Sequence, residues 1–252
     1  MKKTAIVLSV ILFLISSCGN KQTKTANNKF VDEVVALSTK QQRNIEKYDR
    51  VEDMNVQNDV KYRILSRNEV EQLLTDELKK TFYIQYPIWR VYAYSDNLGE
   101  HRIALTESIN LQTDNNSIDT LHHNIKAFFF RLENNILTKE REMYDFVRAD
   151  EDEVSIWFWT KYCDFSDIDG DGLVEPIIVY GTKPYSAATP YRVNILVYYK
   201  GEKYAQRHTD GVLDFMRSTQ IDEAFYTLPK KIQERVKNIT ETMIENRHVL
   251  EW

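Results

Sequence analysis

An α+β domain is the fold class this sequence predicts: mainly antiparallel sheet, with a helix before the sheet and a C-terminal helix packed on it. Three observations carry that expectation. A capped amphipathic pattern opens at Ser66, a succession of short apolar strands separated by turn residues follows, and a single apolar stripe at helical spacing runs to Met243. Turns of hairpin length favour antiparallel pairing, because parallel strands need long crossovers.

The first helix is signalled by Ser66 with Glu69 three residues later, the spacing of a capping box. Val70, Leu73, Leu74 and Leu78 then recur on one face, so residues 67–78 read as an amphipathic helix. Strands follow. Residues 89–94 (WRVYAY) and 102–109 (RIALTESI) flank the turn-rich SDNLGEH. Residues 127–133 and the stretch from Ile136 flank Asn134–Asn135, and asparagine tolerates the left-handed dihedrals of a tight hairpin turn. Residues 154–162 (VSIWFWTKY) and 175–181 (EPIIVYG) read as strongly apolar strands. Residues 192–208 read as a hairpin with its turn at Lys200–Lys203. At the C-terminal end Pro229 suits a first helical position. Ile232, Val236, Ile239 and Met243 form one stripe on a helix over about 229–245.

The chain preceding this domain reads differently. Lys2 and Lys3 precede an uncharged apolar run over residues 4–15, then Ser16, Ser17 and Cys18. A basic start, a short apolar run and small residues are the pattern of a cleaved export signal, and the run is too short for an ordinary membrane-spanning helix. The ending Ile15–Ser16–Ser17–Cys18 resembles the bacterial lipoprotein box. That resemblance implies a signal peptide over 1–17, lipidation of Cys18 and anchorage to a membrane, for which more than one acyl chain gives stable binding. Residues 18–29 read as the lipidated cysteine and a polar tether, and 30–252 as a single domain. No acidic cluster follows Cys18, and Gly19 stands where enteric-type lipoproteins retained at the inner membrane carry Asp. By those resemblances the protein is expected at the outer membrane, facing the periplasm.

Composition narrows the partners. The chain has 252 residues, a net charge of −5 and aromatic residues at 12 %, which suits a packed, sheet-bearing domain and argues against nucleic acid. The two cysteines are Cys18 and Cys163, so with Cys18 lipidated no internal disulfide forms. Cys163 follows an aromatic strand and precedes acidic residues, a setting that suits a buried, unreactive thiol better than a nucleophile. The five histidines form no zinc-like pattern, and neither a G-x-S-x-G elbow nor a phosphate-binding glycine loop occurs.

The sharpest local motif is DIDGDGLVE. Asp167, Asp169 and Asp171 occupy loop positions 1, 3 and 5, Gly172 position 6 and Glu175 position 9. Calcium takes six to eight oxygens at about 2.3–2.6 Å, and carboxylates at alternating positions converge on one cation where the backbone curls tightly. Gly170 and Gly172 permit that curl. The Leu173 carbonyl is the natural backbone ligand, and Asp164 is a further candidate. The motif departs from an EF-hand: position 12 is Ile178, not Glu, and a strand pattern follows in place of an exiting helix. It resembles the shorter acidic loops that join strands in secreted proteins, which implies weak affinity and a structural role. A plain Asp/Gly turn with no metal is the alternative.

Aromatic residues supply a second candidate site. Trp157 and Trp159 share a face of their strand, with Tyr180 and Tyr185 nearby in sequence. Together they offer a platform for a glycan or peptide, against the alternative of ordinary sheet core and rim.

The ordered segments AFFFRLENNILTKE, IWFWTKY, SDIDGDGLVEPIIVYG, ILVYYKGEKYA and RHTDG resemble uncharacterised Bacteroidetes-type envelope lipoproteins, some labelled surface polysaccharide biosynthesis proteins. That resemblance covers about half the chain. It implies export, one soluble domain and calcium, and it brings no catalytic residue. The expected function is therefore a non-enzymatic cell-envelope lipoprotein whose calcium-stabilised domain binds a glycan or protein partner. The alternative is an enzyme or accessory factor acting on envelope polysaccharide.

Overall fold

The computed structural model describes residues 62–114, 117–186, 188–250 and 252. The expected signal at 1–17, Cys18, the tether and the polar stretch up to residue 61 lie outside the described residues. Within them the α+β class holds, with sheet predominating and a C-terminal helix after it.

The capping box forms as expected: the Ser66 side chain accepts from the Glu69 amide, and the Glu69 carboxylate accepts from the Ser66 amide. The helix it starts is shorter than predicted. α1 covers Arg67–Leu73, and a second helix, α2, covers Asp76–Thr81. Leu74 is the C-cap of the first, and Thr75 caps the second, its hydroxyl accepting from the Leu78 amide. A Thr followed by two acidic residues competes well with helix continuation.

Two antiparallel sheets follow. Sheet 1 has the order β1-β2-β3-β6-β7, formed by β1 (Arg63–Ile64), β2 (Ile88–Asp96), β3 (Gly99–Glu107), β6 (Asn124–Glu133) and β7 (Ile136–Phe146). A separate hairpin, β4 (Asn110–Asp114) with β5 (Ser117–Leu121), is inserted between β3 and β6. Sheet 2 has the order β13-β12-β11-β10-β8, formed by β8 (Glu153–Phe158), β10 (Glu175–Pro184), β11 (Tyr191–Tyr199), β12 (Glu202–Asp210) and β13 (Ser218–Ile221). The short β9 (Asp164–Ser166) pairs with the start of β10.

The tight turns behave as their residues dictate. Asn134 and Asn135 both have positive φ, 50° and 64°, and so do Lys200 and Gly201, at 46° and 87°. These are the dihedrals of two-residue hairpin loops whose twist matches the strands. The last hairpin therefore turns at Lys200–Gly201, within the expected Lys200–Lys203, and its second strand starts already at Glu202. Strand β8 stops at Phe158, and Thr160–Tyr162 is a 3₁₀ turn, not a continuation of the strand.

The inner strands β10 and β11 of sheet 2 are covered on both faces, which explains their unbroken apolar runs, whereas β7 at the edge of sheet 1 alternates between buried and exposed residues. In β6, Ile125, Ala127 and Phe129 point into the space between the sheets, where Phe129 meets Tyr198 at 4.6 Å between ring centroids. Phe128 and Phe130 point the other way, into a second cluster with Leu74 and Ile84 beneath α1 and α2. In sheet 2, Tyr180 lies opposite Phe158 and Asn194 on the face toward sheet 1. The opposite face packs on α3 (Lys230–Glu245), whose Ile232, Val236, Ile239 and Met243 are buried as the stripe predicts. Each such side chain contributes about 1.5–3 kcal/mol on burial. Pro229 is the N-cap of this helix and not its first turn. The layers are thus helices, sheet 1, sheet 2, helix. Among the described residues no helix is long and apolar enough to cross a membrane.

Candidate metal centre

The DIDGDGLVE segment joins β9 to β10, and Glu175 pairs with Ser166 at the neck of the loop. Ile168 and Val174 are buried at its two shoulders and pin it to the core. Between them the chain curls through Gly170 and Gly172, at φ 89° and 86°. A side chain would be strained at either position. At Gly172 a Cβ would also run into the Asn97 side chain.

The curl aims the carboxylates inward. Asp167 accepts from the amides of Gly170 (2.7 Å) and Gly172 (2.9 Å), Asp169 from Asp171 (3.0 Å), and Asp171 from Leu173 (3.0 Å). As a result Asp167, Asp169, Asp171 and Glu175 each place one oxygen within 4.8 Å of the others. Four oxygens on hard, anionic groups, with no nitrogen or sulfur donor, could hold a metal ion of the hard divalent class.

The electrostatics are strained without one. Glu175 is 1 % exposed, and its carboxylate accepts from the Ile168 amide at 2.7 Å. Burial pushes its pKa up to about 8 against that hydrogen bond, and the neighbouring Asp169, Asp167 and Asp171 push the same way. Asp171 is held below the usual carboxylate range, chiefly by Lys200, whose ammonium lies 3.0 Å away.

Three distant elements hold the loop. The β2–β3 turn supplies the Asn97 amide to the Gly172 carbonyl (2.9 Å), and Asp96 accepts from the Val174 amide (3.2 Å). The β11–β12 turn supplies Lys200, and α3 supplies Lys231, which donates to the Asp169 carbonyl at 2.8 Å. None of these four residues carried a sequence signal toward the loop, because only the packing of turns and helix brings them there.

Other candidates are placed elsewhere. Asp164 lies outside the cluster and pairs with Arg235 at 2.5 Å. The aromatic platform does not assemble as a unit. Trp157 and Trp159 lie 6.3 Å apart, and Trp159 packs against the core and Tyr162. Tyr180 is buried on the opposite face, between the sheets, whereas Tyr185 is 80 % exposed. The period-two alternation of strands explains the split: Trp157 pairs with Gly181, so Tyr180 must face the other way. Cys163 is buried, and its sulfur accepts from the Val179 amide at 3.4 Å. His122 and His123 sit in the connection between β5 and β6, not on a strand.

Comparison of the chain with protein-family models, curated proteins and solved structures finds no match.

Proposed function

We propose that this chain is a lipid-anchored cell-envelope protein with a calcium-stabilised domain, acting by binding a partner and not by catalysis. The observation that supports it is the convergence of four carboxylate oxygens within 4.8 Å, one of them on a buried glutamate. A divalent cation offsets the repulsion among these groups. Calcium suits the site better than magnesium, which demands a small octahedral shell and keeps its waters. The Leu173 carbonyl completes the protein ligand set in this reading. Ile178, where an EF-hand places its bidentate glutamate, is buried in β10, so the affinity is of the weak, extracellular grade. Lipid on Cys18 holds the domain at the outer membrane, facing the periplasm. A Cys18→Ser protein that still partitions with membranes and takes lipid label would overturn the anchor.

The calcium test is thermal unfolding of the full chain in calcium, magnesium or chelator. A cation that binds only the native state stabilises it by about 2.7 kcal/mol at a hundredfold excess over the dissociation constant. The melting temperature should rise in calcium, much less in magnesium, and the Asp169→Ala change should remove the response. Identical melting in all three conditions, with no heat of binding at millimolar calcium, sinks the proposal.

A further inference from the structure

Helix α2 ends in a Schellman motif: the Ile84 amide bonds to the Lys79 carbonyl at 2.8 Å and the Tyr83 amide to the Lys80 carbonyl at 3.2 Å. The residue at the left-handed position of that motif is normally glycine. Here it is Tyr83, at φ 58° and 71 % exposed. A bulky aromatic in this basin is strained, and its ring gains little burial in return. Strain of this kind persists where the side chain's position serves something other than packing. The ring borders an open cleft of about 460 Å³, lined also by Asp76, Lys79, Lys80 and Gln85.

A second observation extends the cleft. The outer face of sheet 1 is covered by α1 and α2 only over the Phe128–Phe130 end. Toward the other end Lys126 and Tyr144 are cross-strand partners, as are Asn124 and Phe146. Tyr144 and Phe146 are each about half exposed and stack at 5.7 Å, 26° from parallel. The Tyr144 hydroxyl donates to Asn124 at 2.8 Å. Tyr86, three residues after Tyr83, places its ring 6.0 Å from the Lys126 ammonium, and Tyr144 places its own at 5.5 Å. Tyr86, Lys126, Tyr144 and Phe146 thus lie side by side on the outer face of sheet 1, and the Tyr83 cleft is three residues along the chain from Tyr86.

We infer that this band binds an anionic glycan, with the Tyr83 and Tyr144 rings against sugar faces and the Lys80 and Lys126 ammonium groups toward its acidic substituents. Sugars offer flat C–H faces beside hydroxyls, which matches rings interleaved with amide and ammonium donors. The cleft is open, with Ile84 and the Tyr83 ring beside its charged and amide side chains, whereas a small apolar ligand needs enclosure. A peptide added as a strand would use the β7 edge, but the rings lie on the sheet's face. Charge decides the sign. Among the described residues Lys79 is paired with Asp76, and Lys139 and Lys126 share the single carboxylate of Glu142, so lysines outnumber carboxylates along this band on a chain of net −5. The inference names the partner in the binding reading above, and it rests on that reading only for the compartment.

The test is affinity electrophoresis and calorimetry of the full chain with hyaluronate, neutral dextran and poly-L-glutamate, in calcium and in chelator. Hyaluronate should bind best, and the Lys80→Gln/Lys126→Gln protein should bind it more weakly and with less dependence on salt. Tyr144→Ala should weaken binding by about fivefold. Tyr83→Gly should weaken it similarly while melting no lower than the parent, since glycine relieves the left-handed strain. Poly-L-glutamate binding as well as hyaluronate would show that charge alone is read, and would overturn the inference. So would failure of the folded protein to bind hyaluronate, or an unchanged affinity in the Tyr83→Gly protein. Hyaluronate binding by an Asp169→Ala protein that shows no calcium response upholds this inference. If the parent shows no calcium response either, the metal proposal fails alone.

Discussion

Ionising Glu175 in the metal-free protein would place a fourth negative charge beside Asp167, Asp169 and Asp171, out of contact with water. The folded state therefore holds its proton up to about pH 8, whereas the unfolded chain releases it near 4.5. The native state binds more protons between those values, so metal-free stability should fall as pH rises from about 4.5 to 8. Below 4.5 both states are protonated and the contribution is constant. Denaturant unfolding of the chelated protein across this range checks the slope, and Glu175→Gln should flatten it. The same substitution should weaken the calcium response, because an amide is a poorer ligand for a hard cation than a carboxylate. A chelated parent with no loss of stability over that window would refute the assignment of the raised pKa. The spacing of the loop was legible in the sequence because the ligating residues are local. The condition of Glu175 was not, since its burial depends on β10 being covered on both faces.

At the scale of elements, strand β10 lies inside sheet 2 between β11 and β8, and Gly181 marks where another element presses on it. A Cβ there would lie 2.5 Å from the Trp159 ring and 3.0 Å from the Arg192 carbonyl. Trp159 in turn leans on Tyr162 and His248, which the Tyr162 hydroxyl joins at 2.7 Å. Gly181→Ala should therefore displace Trp159 and cost about 1–3 kcal/mol, read as a lower denaturant midpoint at unchanged slope. A midpoint equal to the parent's would show that the ring moves freely. Element type was readable wherever a local rule is strong, as at Asn134–Asn135, the Ser66 cap and the α3 stripe. It was misread where two local rules compete. The apolar spacing of residues 67–78 argues one helix, yet Thr75 caps a new one, because a side-chain oxygen can satisfy the amides that helix continuation would otherwise bond.

Over the whole molecule the two sheets are tied by a charged cluster at their edges. Arg192 on β11 donates to both oxygens of Glu153 on β8, at 2.6 and 2.8 Å. It also reaches across to β7, donating to Asp145 at 2.9 Å and to the Phe146 carbonyl at 2.9 Å. Glu153 is buried, so removing the guanidinium leaves its charge uncompensated. Arg192→Met should cost about 3–5 kcal/mol, and Arg192→Met with Glu153→Leu should recover much of it. A double-mutant cycle on thermal unfolding measures the coupling, and additive losses would show that the cluster contributes only packing.

By itself the sequence determined what depends on neighbours along the chain: the α+β class, the hairpins with left-handed turn residues, the face of α3 that enters the core and the acidic loop as a set of carboxylates. These follow from periodicities and dihedral preferences that act over a few residues. Only the tertiary structure decided that the strands divide into two sheets, that Tyr180 lies between them instead of beside Trp159, and that Lys200, Lys231 and Asn97 close around the loop. It also decided that Tyr83, Tyr144 and Phe146 stay exposed while Tyr180 is buried. A strand's two faces are set by its own alternation, but which face meets a sheet, a helix or water depends on partners far along the chain. Those partners become neighbours only when burying the apolar faces together outweighs the conformational entropy of bringing them there.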